Sequence, residues 1–358
     1  MPKRKSNNIT GYIFLIIFIG FGGYLLGRHD EKVKSKLEEI TPGAKKIVKK
    51  SIKNVKDLSD AGLKKLKDLG ADDGQDDESV EEYDCNDYDD YETHGTAQHF
   101  VKKEELKVCS FNIRIFSNKS RDDSELKNIA HVLKHCDITA IQELRDEKVL
   151  VRTTKILEKF GYDFDYIISP SVGNKVKERY AFLYNPQLID VVEDGQLYDD
   201  VHDDFIREPY YATFKSGNFD FILVTIHLLY GRNKEERRPE LIKLAQVYEM
   251  IQKKYPNEND IIMLGDFNFS PDDKGWNRIK KYHTMTYLIR PPAKTTVTDT
   301  SLYDNIWFQR QYVKEYTGKS GIIKFDENMF SNNDQRAKIV VSDHRPVWAI
   351  FKTTLDDD

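Results

Sequence analysis

From residue 107 onward, apolar runs of strand length keep ending in the same kinds of residue: a carboxylate, a carboxamide or an imidazole. Ile261-Ile262-Met263-Leu264 opens onto Gly265-Asp266-Phe267-Asn268, Ile138-Thr139-Ala140-Ile141-Gln142 onto Glu143, the stretch from Phe219 to Ile226 onto His227, and Lys107-Val108-Cys109-Ser110-Phe111 onto Asn112. Apolar residues without a polar interruption, as before Gly265, read as a strand covered on both faces. Gly265 lets the backbone turn tightly or approach a ligand. Asp266 and Asn268, two apart, face one side for as long as the chain stays extended. Tyr303-Asp304 and Ser342-Asp343-His344 continue the series. Between the runs, apolar residues at helical spacing predict amphipathic helices around Leu126, Ile129, Ala130 and Leu133, from Val149 to Phe160, and from Lys234 to Lys254. Strands alternating with helices, with polar chemistry at the strand ends, restrict the chain to layers of helix and sheet and to a site where those ends converge.

The residue types restrict the chemistry as well. Glu143, Asp266 and Asp343, with carboxamides such as Asn112 and Asn268, are hard oxygen donors suited to Mg²⁺ or Mn²⁺ rather than zinc. His227 and His344 have enough carboxylates nearby for two carboxylate–imidazole pairs, in which the acid fixes the tautomer and raises the basicity of the ring. No G-x-S-x-G setting, Walker lysine loop or dinucleotide fingerprint competes. Oxygen-bound metal, paired imidazoles and arginines together suit the hydrolysis of a phosphate ester.

Phe111-Asn112-Ile113-Arg114, Ile141-Gln142-Glu143-Leu144-Arg145-Asp146, Lys177-Glu178-Arg179-Tyr180, Arg207-Glu208-Pro209, His227, Gly265-Asp266-Phe267-Asn268, Tyr303-Asp304 and Ser342-Asp343-His344 follow one another along the chain. In this order they resemble the deoxyribonuclease I branch of the endonuclease/exonuclease/phosphatase superfamily. The resemblance runs from Lys107 to Phe351 and implies an α+β fold, a four-layer α/β/β/α sandwich of two β-sheets flanked by helices. It implies that Glu143 holds the metal, helped by Asn112 and Asp343, and that Asp266 and Asn268 line the phosphate and a second metal position. His227 and His344 would be the acid–base pair, oriented by Glu178 and Asp304 respectively. Arg207 would contact a phosphate, while Arg114 and Arg145 would reach the DNA groove. The activity implied is a Mg²⁺- or Mn²⁺-dependent endonuclease that cuts DNA with little sequence preference. The sequence does not separate DNA from RNA. The same chemistry on a phospholipid or inositol phosphate, and an inactive binding module, are the alternatives; the presence of every charged motif position speaks against the second.

The departures from the family pattern carry their own expectations. Val176 stands where the family has a Tyr before Lys-Glu-Arg-Tyr, which weakens stacking against the DNA sugar and base edge. After His227 comes Leu228-Leu229-Tyr230-Gly231, unlike the secreted enzymes. The cysteines that those enzymes pair are missing, Ser301 lying near one such place. In Lys294-Thr295-Thr296-Val297-Thr298-Asp299-Thr300 a lysine replaces an aspartate that helps to bind a structural Ca²⁺. The loop from Thr295 to Tyr303 is therefore expected to be held by packing alone. Cys85, Cys109 and Cys136 are too few and too oddly placed for a disulfide framework or a zinc site.

The first hundred of the 358 residues have a different composition. Residues 9–27 contain no ionisable side chain except Tyr and follow Lys3-Arg4-Lys5, with no A-x-A-like cleavage triplet after them. They read as an uncleaved transmembrane helix within an anchor of residues 1–30, in contact with the lipid bilayer. Residues 31–70 are Lys-rich with helical apolar spacing and read as a basic stalk. From Asp72 to Glu92 there are twelve Asp or Glu and no Lys or Arg, which reads as a disordered tether over residues 71–99. The net charge of −5 thus hides segregated blocks. Residues 100–358, the catalytic domain, are nearly balanced and carry no global basic field to capture nucleic acid. Basic residues on both sides of the apolar segment leave its orientation undecided by charge. We expect a single-pass protein with the catalytic domain outside the cytoplasm, because a nonspecific nuclease beside the chromosome would be damaging.

Overall fold

The computed structural model describes residues 103–356. The expected anchor, stalk and tether lie outside the described residues. In chain order the strands are β1 (Glu105–Phe116), β2 (Ile138–Leu144), β3 (Asp165–Ile168), β4 (Arg179–Tyr184), β5 (Asp190–Leu197), β6 (Tyr210–Ser216), β7 (Phe219–His227), β8 (Ile261–Asp266), β9 (Thr286–Tyr287), β10 (Asp304–Phe308), β11 (Tyr316–Ile322) and β12 (Val347–Lys352). The helices are α1 (Asp123–Leu133), α2 (Glu147–Lys159), α3 (Lys234–Lys254), α4 (Asn277–His283), α5 (Phe325–Phe330) and α6 (Asp334–Val340).

The strands form two six-stranded sheets, ordered β11-β12-β1-β2-β4-β3 and β5-β6-β7-β8-β10-β9. Each has one central parallel pair, β1 with β2 and β7 with β8. A parallel pair needs a crossover, and α1 and α3 supply the two. Asp122 caps α1 through a capping box with Glu125, and Asp146 caps α2 by accepting from the Val149 amide.

Alternation along the strands sorts the core into three apolar layers. Val108, Ala140 and Phe182 of the first sheet pack with Phe214, Leu223, Leu264 and Ile306 of the second. Their strand neighbours Phe111, Ile141 and Ala181 pack with Leu126, Ile129 and Leu150 of the first pair of helices. Ile222, Val224 and Met263 pack with Leu244, Tyr248 and Ile279 of α3 and α4. Helices thus cover the outer face of each sheet, the expected α/β/β/α arrangement.

Two expectations need correction, and one strand had no counterpart in the sequence reading. Cys109, at the centre of β1, and Cys136, just past α1, are bonded to each other as a disulfide. Their separation of 27 residues hid this, because the crossover from α1 back to β2 is what brings them together. Strand β5 was not legible: its Glu193, Asp194 and half-exposed edge position carry no apolar run. The loop from Thr295 to Tyr303 is not held by packing alone. The buried Arg345 donates to Asp326 (2.7 Å) and pairs with Asp299, and its amide donates to the Thr295 carbonyl at 2.6 Å.

Candidate active site

Register places the site. Asp266 of β8 is paired with His227 of β7 on one side and with Asp304 of β10 on the other. Residues opposite one another on neighbouring strands present their side chains to the same side, so the three form one cross-strand row. Gly265 makes the close approach possible. Its φ is +150°, and a Cβ there would lie 2.0 Å from the Ile226 carbonyl oxygen.

The row extends at both ends into carboxylate–imidazole pairs. His227 Nδ1 donates to Glu178 Oε2 at 2.9 Å, and His344 Nδ1 donates to Asp304 Oδ2 at 2.8 Å. With both Nδ1 atoms engaged, the two Nε2 atoms face Asp266 Oδ2 at 3.6 and 3.7 Å. These distances are too long for hydrogen bonds, so both Nε2 atoms are left for a substrate. The order Glu178, His227, Asp266, His344, Asp304 is nearly symmetrical about Asp266. Burial pushes the Asp304 carboxyl up and by itself would lower His344, but the negative charges of Asp304 and Asp266 outweigh this and raise His344 well above the ordinary imidazole value. Glu178 is also buried, which opposes its charge, yet the hydrogen bond to His227 and the nearby Arg207 and Arg145 lower its pKa overall.

The first sheet closes the site from the other side. Asn112 Nδ2 donates to Asp266 Oδ2 at 3.0 Å, and Gln142 Nε2 donates to Thr225 Oγ1 at 2.9 Å, so two carboxamides cross between the sheets. Past Asn112 the register of β1 with β2 shifts, and Ile115 (φ 46°) and Glu143 (φ 60°) both take left-handed conformations. For a β-branched and a long side chain this stores about 1–3 kcal/mol each. It is maintained in part because the Ile115 amide donates to Glu143 Oε2 at 2.9 Å. Asn268 (φ 52°) is held by hydrogen bonds to Asp266 and to the Leu228 carbonyl. Ser342 accepts from the Arg114 amide and donates to the Asn112 carbonyl, docking the His344 segment onto β1.

An open cleft of about 520 Å³ lies over the row, with Arg114, Glu143, His227, Asp266, Asn268, Asp343 and His344 among its lining residues. Two expected residues stand behind it. Arg207 donates to the carbonyls of His227 and Leu228, each at 2.9 Å, and lies 3.7 Å from Glu178. It therefore steadies the base of His227, where a phosphate contact was expected. Arg145 is directed onto Glu178 (3.3 Å) and the Lys177 carbonyl (3.1 Å), with Glu143 at 3.7 Å, and not into an open groove. Sequence reading missed Lys338, which reaches the cleft from α6 and pairs with Asp343 at 3.2 Å, and Tyr230 and the Thr296, Thr298 and Thr300 hydroxyls on the rim. Lys338 sits in a polar helix with no motif around it, so only the tertiary fold reveals it.

The donors present fit a hard divalent cation. Asn112 Oδ1 is buried without a hydrogen-bond partner, and the Glu143 and Asp343 carboxylates line the cleft. Asp266, Asp304 and His344 also bring ligand atoms within 4.8 Å of one another. In that trio, however, the ligand atom would be His344 Nε2, the nitrogen that acid–base work on a substrate needs free, which favours the all-oxygen set.

Residues 109–281 match the model of the Endonuclease/Exonuclease/phosphatase family. The chain is 30% identical to Deoxyribonuclease-1 of Bos taurus over 262 residues, covering 68% of this chain and 90% of that protein. It is 30% identical to Deoxyribonuclease gamma of Homo sapiens over 264 residues, covering 68% and 84%. A Deoxyribonuclease of Thioalkalivibrio sp. is 29% identical over 269 residues, covering 71% and 73%.

Proposed function

The chain belongs to the endonuclease/exonuclease/phosphatase family, in its deoxyribonuclease I-like branch, and on that premise we propose that it is a Mg²⁺- or Mn²⁺-dependent endonuclease that hydrolyses the phosphodiester bonds of DNA. The observation that carries this reading is the row in which two imidazoles, each backed by a carboxylate, turn their free Nε2 atoms toward one carboxylate. In hydrolysis a water oxygen bonds to phosphorus as the ester P–O bond breaks. One imidazole takes the proton from the water and the other gives one to the departing oxygen. Glu178 and Asp304 keep each ring in the tautomer that leaves Nε2 available. Glu143, Asn112 and Asp343 would hold the cation, which supplies charge stabilisation to the phosphoryl oxygens.

We further infer that residues 9–27 anchor the protein in a membrane with the domain outside the cytoplasm. Among the described residues no helix is long and apolar enough to span a bilayer, so this rests on the N-terminal sequence. The Cys109–Cys136 disulfide supports it, since such bonds persist in oxidising surroundings. Protease added to intact cells, or to spheroplasts if there is an outer membrane, is expected to release the domain at the acidic tether; full protection while an external control is cut would reverse the orientation.

The activity is tested with the full-length chain in detergent, on plasmid DNA and on phosphoinositide or sphingomyelin vesicles, with Mg²⁺ or Mn²⁺. Nicking of the plasmid is expected. Turnover of lipid without nicking would transfer the reading to a phospholipid substrate. His227→Ala and His344→Ala are each expected to lower the nicking rate ~10²–10⁴-fold, the usual worth of positioned proton transfer, with the circular dichroism spectrum unchanged. Near wild-type nicking by either variant would remove the acid–base assignment.

A further inference from the structure

The three residues that would hold the cation differ in what already touches them. Asn112 Oδ1 is buried without a hydrogen-bond partner, and Glu143 Oε2 receives the Ile115 amide at 2.9 Å. Asp343 instead meets an ammonium, with Lys338 Nζ 3.2 Å from its Oδ2. Lys338 belongs to α6, whereas Asp343 follows that helix, so the i,i+4 spacing of helical ion pairs does not bring them together. The buried Arg121 holds the backbone that does. Its guanidinium donates to the carbonyls of Ile339 (2.8 Å) and Val341 (2.9 Å), and also to that of Arg114. The segments that carry Lys338, Asp343 and Arg114 are thereby tied together at the cleft. The lysine side chain is not enclosed: it is 43% exposed against 31% for Asp343, and an ion pair so accessible to water holds its members weakly.

Two positive charges would compete for the Asp343 carboxylate. A divalent cation carries twice the charge of an ammonium and repels it, so a metal ion on Asp343 displaces Lys338. The displaced side chain stays on the cleft wall beside Arg114 and the His344 imidazole. An ammonium is a compact point charge with three donors on a flexible stem, a form that suits a phosphate oxygen.

We propose that Lys338 is an exchangeable phosphate contact: it occupies Asp343 until the cation binds there and then passes to a phosphate of the DNA backbone, so that metal loading and substrate binding reinforce each other. This rests on the nuclease reading above. The test compares full-length wild type with Lys338→Met in detergent, using Mn²⁺ alone in isothermal titration calorimetry and then duplex DNA at saturating Mn²⁺. Without DNA, Lys338→Met is expected to bind Mn²⁺ roughly two- to fivefold more tightly, the range of an exposed ion pair. Arg336→Gln, which removes a charge from the same helix away from the cleft lining, should leave the Mn²⁺ affinity as it is. With DNA, Lys338→Met is expected to raise KM roughly two- to tenfold, the worth of one hydrogen bond. Its KM should also depend less steeply on salt, by about one in the logarithmic slope, as loss of one phosphate contact requires. Lys338→Arg should keep the wild-type slope. Tighter cation binding joined to weaker DNA binding is the signature, since structural damage would weaken both. Unchanged Mn²⁺ affinity in Lys338→Met, an equal gain in Arg336→Gln, or an unchanged KM and salt slope would each overturn the exchange while leaving the nuclease reading intact. A wild-type protein that binds Mn²⁺ but cuts no DNA would overturn the nuclease reading itself.

Discussion

Glu178 shows how much one side chain can be asked to do. It is buried, accepts from His227, and stands beside Arg145 and Arg207. Because its folded pKa is depressed, its contribution to stability is fully present above the ordinary value of 4.5 and is lost as the pH falls below that toward the folded value. Glu178→Gln has no such titration. Its melting temperature should therefore fall less than that of wild type on acidification through this window, and its nicking rate should drop because the His227 ring loses the charge that orients it. Parallel acid melting curves for the two proteins would show that Glu178 does not titrate as described. His227 and Asp266 were legible because each ends an apolar run, whereas Glu178 and Asp304, which stand at the start of theirs, were picked out by the family resemblance. What the sequence concealed was direction. Arg207 and Arg145 have the right chemistry for a phosphate or a groove, but their guanidinium groups are directed onto carbonyls and Glu178, which a linear reading cannot place.

At the level of elements, the site depends on how closely β7 and β8 approach and on how the loop before β10 is held. Gly265→Ala would drive a Cβ into the Ile226 carbonyl at a φ that alanine resists. A loss of more than about 1 kcal/mol is expected in chemical denaturation, together with a disproportionate loss of activity, because Ile226 immediately precedes His227. A fully active, equally stable variant would mean that the strands tolerate separation there. The loop from Thr295 to Tyr303 was read as lacking both a disulfide and an anionic calcium ligand, and the structure supplies a different brace. Thr295 Oγ1 accepts from the Tyr303 and Asp304 amides, and Arg345 joins Asp299 to the buried Asp326. Arg345→Met would leave Asp326 buried without its partner, at a cost of ~3–5 kcal/mol. With Lys294 at the loop's start, added Ca²⁺ should not restore the melting temperature of that variant; restoration by Ca²⁺ would show that the loop retains a cation site. The brace was not legible because its members come from three separate segments of the chain.

At the level of the whole domain, layers of helix and sheet were readable from alternation and helical spacing and their order was implied by the family resemblance, while the covalent cross-link was not legible, because it depends on where α1 returns to the sheet. Opening the Cys109–Cys136 bond should lower stability by about 3 kcal/mol for a loop of this length, read as the difference in denaturation midpoint between oxidised and reduced protein. An unchanged midpoint would make the bond incidental. The row of His227, Asp266 and Asp304 has a further consequence for the molecule as a whole. It exists only when three neighbouring strands hold one register, and a slip of a single residue in any of them turns that strand's contribution to the opposite face. A misfolded copy therefore arrives disarmed, and the catalytic rate per molecule in a refolded sample becomes a direct census of correctly assembled sheets.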